Sequence, residues 1–335
     1  MRQRVIVSRT DRIGDVVLTL PLCGLLAQEG AEVLFLGRRY TTPVLEACES
    51  VSRILDWDSV ADAGADAQAA LLRDAGADAI VHVFARPEVA RAARRAGIAK
   101  RVGTSHRLYH WWTCNALVWL GRRGSTLHEA QLNVQLAQGL LPRVDHTLAE
   151  LASAVRLSPR VAAPDRVASL LTPDRLNVAL QIKTRGSSRE WRLERWRELM
   201  DALDAAKFRL FVIGTAEERA LMSEVLASAP AHVHDLTGLD LRELIATLAR
   251  MDGMVSGSTG PVQIGAALGI HALALVPPTR PIHPGRYAPL GARAEYVTPD
   301  QCAACASGRQ PCTCMDAVSV REVAGRVAAW STPRA

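Results

Sequence analysis

The chain has 335 residues, of which 49% are hydrophobic, 22% charged and 4% aromatic, an ordinary balance for a globular protein with room for about two domains. Its formal net charge of +6 favours an acidic partner such as a phosphate, a nucleotide or an anionic membrane surface. No apolar run reaches the ~18 to 20 residues that cross a bilayer, which excludes a helical span and leaves peripheral contact.

The opening MRQRVIVSR (1–9) has basic ends but too short an apolar centre for a signal peptide, so a cytoplasmic location is expected. RVIVSR (4–9) predicts a short buried strand and DVVLTLPLCGLLAQEG (15–30) one helix ended by Gly30. EVLFLG (32–37) is the next strand; then come a helix through LLRDAGAD, the strand AIVHVF (79–84), the helix PEVARAARRAG and the strand KRVG (100–103). Such alternation predicts a parallel, doubly wound sheet covered by helices. RVGTSHRLYHWWTCNALVWLGRRG (101–124) reads either as an amphipathic helix that packs its tryptophans into a core, the favoured reading, or as basic groups and aromatics that meet a sugar or a membrane interface, with Arg122 and Arg123 exposed.

A loose, proline-bearing stretch at about 142–175 is the expected interdomain linker. Beyond it the pattern restarts with strand LNVALQI (176–182), helix RLERWRELMDALDAA, strand FRLFVIG (208–214) and helix AEERALMSEVLAS. Strand-like HVHDL, helix LRELIATLARM, strand GMVSG (253–257), helix PVQIGAALG and strand ALALV (272–276) follow, with a last helix over 315–330. Two Rossmann-like halves are therefore expected, with ligands outside the carboxyl ends of the strands and a cleft between the halves. The expected boundaries are 1–155, 172–314, and a C-terminal helix and tail at 315–335.

Two loops of the second half could hold a phosphate. In GSTGPVQIGAALG (257–269), small residues admit a close ligand, Pro261 suits a first helical turn, and Ser258 or Thr259 can cap it or offer a hydroxyl. Its free N–H groups favour an anion, although an ordinary capped turn has the same pattern. In IKTRGSSREWRLERW (182–196), Lys183, Arg185 and Arg189 flank a Gly-Ser loop able to grip a diphosphate, or else form a solvated surface. The P-loop and the G-x-G-x-x-G fingerprint are absent, as are the zincin helix and the serine-hydrolase elbow.

Asp15 falls in the first turn of a predicted helix, where it either stabilises the helix dipole or acts as a general base. Cys23, Cys48 and Cys114 read as packed thiols. Cys302-x-x-Cys305 followed by Cys312-x-Cys314 could hold a structural zinc, or remain reduced thiols or a disulfide.

DRIGDVVLTLP, HEAQLNVQLAQGL (128–140), GSTGPVQIGAALG and CAACASGRQPCTCMDAVSVREV together resemble glycosyltransferase family 9, the ADP-heptose:lipopolysaccharide heptosyltransferases, over essentially the whole chain. The resemblance implies an α/β GT-B fold, two Rossmann-like domains facing a central cleft, the first for the acceptor and the second for a nucleotide sugar. It implies Asp15 as the catalytic base and Arg189, Ser258, Thr259, Gly260 and Gln263 as donor-binding residues, which Lys183 joins from the loop reading above, with Glu217 or Glu218 reaching the nucleoside. Many members have aspartate where Ser258 stands and histidine where Gln263 stands. Arg12, Arg122 and Arg123 are the basic groups expected to meet a phosphorylated, lipid-linked acceptor at the inner face of the cytoplasmic membrane.

The implied activity is inverting transfer of heptose or a related sugar from an ADP-sugar to the lipopolysaccharide inner core, with no cofactor required for catalysis. The alternatives are a transferase of the same fold with another nucleotide sugar or acceptor, and a non-catalytic nucleotide or nucleic-acid binding protein. No nucleic-acid motif supports the last, so no nucleic-acid partner is expected.

Overall fold

The structure, a computed structural model, describes residues 2–184, 186, 188–280, 282–301 and 312–331. The chain divides into two compact units, Met1–Ser158 and Pro159–Ala335, so the division falls inside the proline-bearing stretch. That stretch also carries two short helices, Leu148–Ser153 and Asp165–Ala168.

The first unit is a six-stranded parallel sheet of β1 (Arg4–Ser8), β2 (Glu32–Gly37), β3 (Arg53–Asp56), β4 (Ala79–His82), β5 (Lys100–Thr104) and β6 (Ala116–Val118), in the order β3-β2-β1-β4-β5-β6. Its helices are α1 (Ile13–Val17), α2 (Leu20–Gln28), α3 (Thr42–Ala47), α4 (Gly64–Asp74), α5 (Pro87–Arg95), α6 (His110–Thr113), α7 (Glu129–Gln135) and α8 (Leu148–Ser153). Central strands are buried on both faces, as their unbroken apolar runs require. One face packs Ile6, Leu34 and Ile80 against Leu72 of α4 and Val89 of α5.

The second unit repeats the plan with β7 (Leu176–Gln181), β8 (Phe208–Ile213), β9 (Val233–Asp235), β10 (Gly253–Gly257), β11 (His271–Leu275) and β12 (Ala294–Val297), ordered β12-β11-β10-β7-β8-β9. Its helices are α9 (Asp165–Ala168), α10 (Leu193–Ala202), α11 (Ala216–Leu221), α12 (Ser223–Ala227), α13 (Leu241–Leu248), α14 (Gly260–Ala267), α15 (Pro284–Tyr287) and α16 (Val320–Ala328). Read from the β9 edge, the sheet has the order of the first unit. Val323, Val327 and Trp330 at the C-terminal end fill the same core as Trp196 and Leu199 of α10.

Several expectations are corrected. Residues 15–30 form two helices, because the Pro21 ring would crowd the carbonyl of residue 17 in a continuous helix. The break turns on Thr19, whose hydroxyl donates to the Asp15 carbonyl at 2.8 Å. Residues 216–227 likewise split, and 315–330 begins with a 3₁₀ turn, Cys314–Ala317, before α16. The 101–124 segment is no amphipathic helix: it holds β5, the single turn α6 and β6, and leaves Trp111, Trp112 and Trp119 exposed. Strands β3, β6 and β12 are too short to announce themselves as apolar runs. Gly24 is obligatory for packing, since a Cβ there would stand 1.8 Å from the Ala154 carbonyl oxygen at the end of α8.

Candidate functional site

In the first unit the turn after β1 brings a buried guanidinium among three carboxylates. Arg9, 3% exposed, donates to Asp11 at 2.7 Å, to Asp15 at 2.6 Å and to Glu129 at 3.0 Å. Burial opposes its charge, but the three carboxylates more than compensate and hold its pKa above the ordinary value. Glu129 and Asn133 lie four residues apart on α7 and so share one face. His128 caps that helix through Nδ1, which accepts from the Ala130 N–H at 3.3 Å, and this fixes the entry of Glu129.

Arg122 closes the network. It pairs with Glu129 and donates to Asn133 at 2.9 Å and to the Val83 carbonyl after β4 at 3.1 Å. The Asn133 amide in turn donates to the Leu18 carbonyl at 3.0 Å, at the break between α1 and α2. The expected base, Asp15, therefore sits partly exposed on a rigid charged cluster at the carboxyl end of the sheet. Arg122 is half-buried within the cluster rather than exposed, whereas Arg12 and Arg123 are exposed.

In the second unit, the loop after β7 and the turn after β10 come together. The Gln181 side-chain amide oxygen Oε1 accepts from the Ser256 hydroxyl at 2.8 Å and from the Thr259 hydroxyl at 2.7 Å. A Cβ at Gly257 would touch the Thr184 methyl at 3.0 Å, so the two segments meet closely. Thr259 precedes α14 in extended backbone with its hydroxyl turned to Gln181, and its side chain makes no capping bond to the helix. The first turn of α14 therefore lacks a cap from its own N-cap side chain, and Ser258 and Gly260 beside it are partly exposed.

The loop after β7 is held by Glu190, which accepts from Lys183, from the Thr184 N–H at 2.7 Å and from the Thr184 hydroxyl at 3.1 Å. Burial opposes ionisation of Glu190, but Lys183 and Thr184 outweigh it and keep its pKa below the ordinary carboxylate value. Trp191 anchors the far end, donating its indole N–H to the Val318 carbonyl at 3.1 Å. Arg189 lies next to that anchor, with Nη1 3.9 Å from the Cys314 thiol.

Other expected residues separate. Glu218 is buried in the capping box of α11, accepting from the Thr215 N–H at 2.8 Å, while Glu217 is exposed. Gln263 is buried and tethers the segment around α15, donating to the Tyr287 carbonyl at 3.1 Å and accepting from the Leu290 N–H at 3.3 Å. Cys23, Cys48 and Cys114 are buried thiols. Cys302 and Cys305 lie outside the described residues; Cys312 and Cys314 are adjacent, with the Cys314 N–H 3.4 Å from the Cys312 sulfur. Among the described residues no group of three or more His, Cys, Asp or Glu could hold a metal ion.

The family model for glycosyltransferase family 9 (heptosyltransferase) matches residues 72–315. The chain belongs to this family. Solved structures of similar fold include a glycosyltransferase family 9 protein from Veillonella parvula, at a TM-score of 0.77 and 16% identity, covering 97% of this chain and 96% of that one. E. coli ADP-heptose lps heptosyltransferase II has a TM-score of 0.73 and 16% identity over 98% of each chain. E. coli heptosyltransferase WaaC with ADP has a TM-score of 0.72 and 18% identity over 98% of this chain and 100% of that one. No curated protein sequence matches. As a GT-B-like family 9 glycosyltransferase, the protein carries its two candidate half-sites where parallel sheets present ligands, outside the strand carboxyl ends.

The residues missed by sequence reasoning are Arg9, Glu129, Asn133, Gln181 and Glu190. Only the four-residue spacing of Glu129 and Asn133 offered a local signal, because the others act through partners that are distant in the chain or across a loop.

Proposed function

We propose that this glycosyltransferase moves heptose or a related sugar from an ADP-sugar to the inner core of lipopolysaccharide, with inversion at the transferred carbon. The observation that carries the proposal is the Arg9-anchored Asp15 at the end of β1 in a chain of this family. Asp15 takes the proton from the acceptor hydroxyl as that oxygen bonds to the sugar carbon, and the bond from that carbon to the diphosphate breaks with its electron pair on the departing ADP. Arg9 is locked among Asp11, Asp15 and Glu129 and so keeps the carboxylate oriented without leaving the cluster.

Negative charge grows on the leaving diphosphate. Lys183, Arg189 and the backbone N–H groups of the Ser258, Thr259 and Gly260 turn at the start of α14 are the groups assigned to it. Glu217, exposed at the start of α11, is the better placed of the two glutamates for a nucleoside, since Glu218 is taken up by its cap. Every step uses side chains and backbone of this chain, so the reading calls on no metal. The choice of ADP-heptose draws on the ADP and ADP-2-deoxy-2-fluoro heptose named with the E. coli WaaC structures.

Calorimetry with ADP, UDP and GDP tests the donor. ADP is expected to bind preferentially and to weaken at least ~10-fold in Arg189→Ala, the loss of a charge-assisted phosphate contact. Preference for UDP or GDP would keep the family and discard the ADP-sugar.

A further inference from the structure

Four of the nine exposed large apolar side chains among the described residues fall within residues 108–119: Leu108 at 78%, Trp111 at 57%, Trp112 at 59% and Trp119 at 81% exposed. The other four tryptophans, Trp57, Trp191, Trp196 and Trp330, are all 5% exposed or less. Two of the exposed rings and the backbone of the third are held in place. The Trp111 indole N–H donates to the Ser105 carbonyl at 2.9 Å, the Trp119 ring lies 5.0 Å from the His106 ring, and the Trp112 carbonyl accepts from Arg94 of α5 at 2.7 Å. Beneath them His110 is buried, its Nδ1 2.9 Å from the Thr104 carbonyl oxygen. Its seat requires Gly103, where a Cβ would stand 2.6 Å from that nitrogen. The sequence therefore builds a firm platform whose outward face is apolar and whose indole N–H can be satisfied from within.

The segment that carries the platform is basic, although three of its arginines are paired, Arg86 with Glu88, Arg95 with Asp66 and Arg122 with Glu129. Residues 86–124 contain nine lysines and arginines and a single carboxylate, Glu88, a formal +8 in a chain whose total is +6. Arg91, Arg94 and Arg95 of α5, with Arg107 and Arg123, are exposed. Exposed aromatic rings and exposed arginines on one segment, with Arg94 bonded to the Trp112 carbonyl, suit a bilayer surface, where indoles enter below the headgroups and guanidinium groups meet phosphate. A second copy is a poor occupant, because a two-fold contact would set the same positive surface against itself.

We infer that the Leu108–Trp119 platform is an interfacial docking surface for an anionic bilayer. The inference rests on the acceptor reading above for its purpose, since it would hold the protein where a lipid-anchored acceptor is found. Trp119 is followed three residues later by Arg122, which is bonded to Glu129 and Asn133 in the Asp15 cluster. Docked chain and candidate base are thus joined through one short connection of the same unit.

The test is flotation of the full chain with vesicles of equal parts phosphatidylethanolamine and phosphatidylglycerol, and with phosphatidylcholine vesicles. Wild type is expected to float with the anionic vesicles, less so as salt rises. Trp111→Ser with Trp119→Ser lowers partition at least ~10-fold by removing interfacial apolar area. Arg91→Gln with Arg107→Gln lowers it by a similar factor and flattens the salt dependence. These side chains are exposed, so the variants keep their ADP affinity and circular dichroism spectrum. The inference is overturned if wild type stays unbound with anionic vesicles, if the tryptophan variant floats as well as wild type, or if that variant instead dissociates a dimer in sedimentation. Vesicle binding without any nucleotide binding would retain the surface and remove the donor reading; ADP binding without flotation would do the reverse.

Discussion

The two units share a sheet order but treat the same topological position in opposite ways. At the junction of β1 and β4, Ser8 pairs in register with His82; at the junction of β7 and β10, Gln181 pairs with Ser256. In the second unit the pair is joined, Ser256 to Gln181 at 2.8 Å, and Thr259 is drawn into the same neutral triad. In the first, neither the Ser8 hydroxyl nor the His82 ring nitrogens have a hydrogen-bond partner, and the polar chemistry has moved one residue on, to the buried charge of Arg9. One fold thus supports a fixed ionic cluster suited to hold a base, and a neutral cradle that leaves helix N–H groups available to an anion.

The largest effect expected of this difference is catalytic. Asp15→Asn keeps the shape of the side chain and removes its basicity, so turnover should fall by ~10²- to 10⁴-fold while ADP affinity stays unchanged. Transfer within tenfold of wild type would reduce Asp15 to a partner of Arg9. The next effect separates the units by stability. Arg9→Met leaves Asp11, Asp15 and Glu129 without their shared cation and should cost the first sheet about 3–5 kcal/mol. Gln181→Leu leaves two hydroxyls without their acceptor and should cost the second about 1–3 kcal/mol. Hydrogen exchange of β1 and β7 peptides reads the two openings independently. Equal losses would mean that the charged cluster is no more than another set of hydrogen bonds.

Much of this plan was legible in the sequence. The alternation of apolar runs with amphipathic segments located both sheets, and Gly257 of the small-residue turn lies against Thr184 and Ser188 of the Gly-Ser loop. Of the four edge strands only β9 was legible, in HVHDL; β3, β6 and β12 were not, because three or four residues of mixed burial carry too little periodicity. The tryptophans of 111–119 misled for a physical reason. Their composition matches a core helix, whereas the buried member of the segment is His110, seated on Gly103 in a contact between strand and helix, and the rings are exposed. Arg9 was invisible because its meaning depends on Glu129 and Asn133, which lie 120 and 124 residues away.

The smallest effect is a pH dependence confined to one sheet. His82 is fully buried, and burial first, then the neighbouring His110 ring 5.6 Å away and Arg101, lower its pKa from 6.5 to about 3. The unfolded chain takes up a proton near pH 6.5 while the folded chain refuses it until about pH 3, so within that window the unfolded state binds more protons and stability falls as pH falls. At ~1.4 kcal/mol per pH unit, the loss between pH 6.5 and 5 approaches about 2 kcal/mol, before most carboxylates titrate. His82→Phe fills the site with a ring that takes no proton, and its urea midpoint should therefore decline less over this range than that of wild type. His110, also shifted down by burial, continues to contribute in both proteins, so the difference between the two profiles isolates His82. Since Gln181 and Ser256 occupy the corresponding pair in the second unit and carry no titratable group, the β7 peptides should keep their protection where the β1 peptides lose theirs. Parallel profiles for wild type and variant would show that the unpartnered imidazole is not what distinguishes the two sheets.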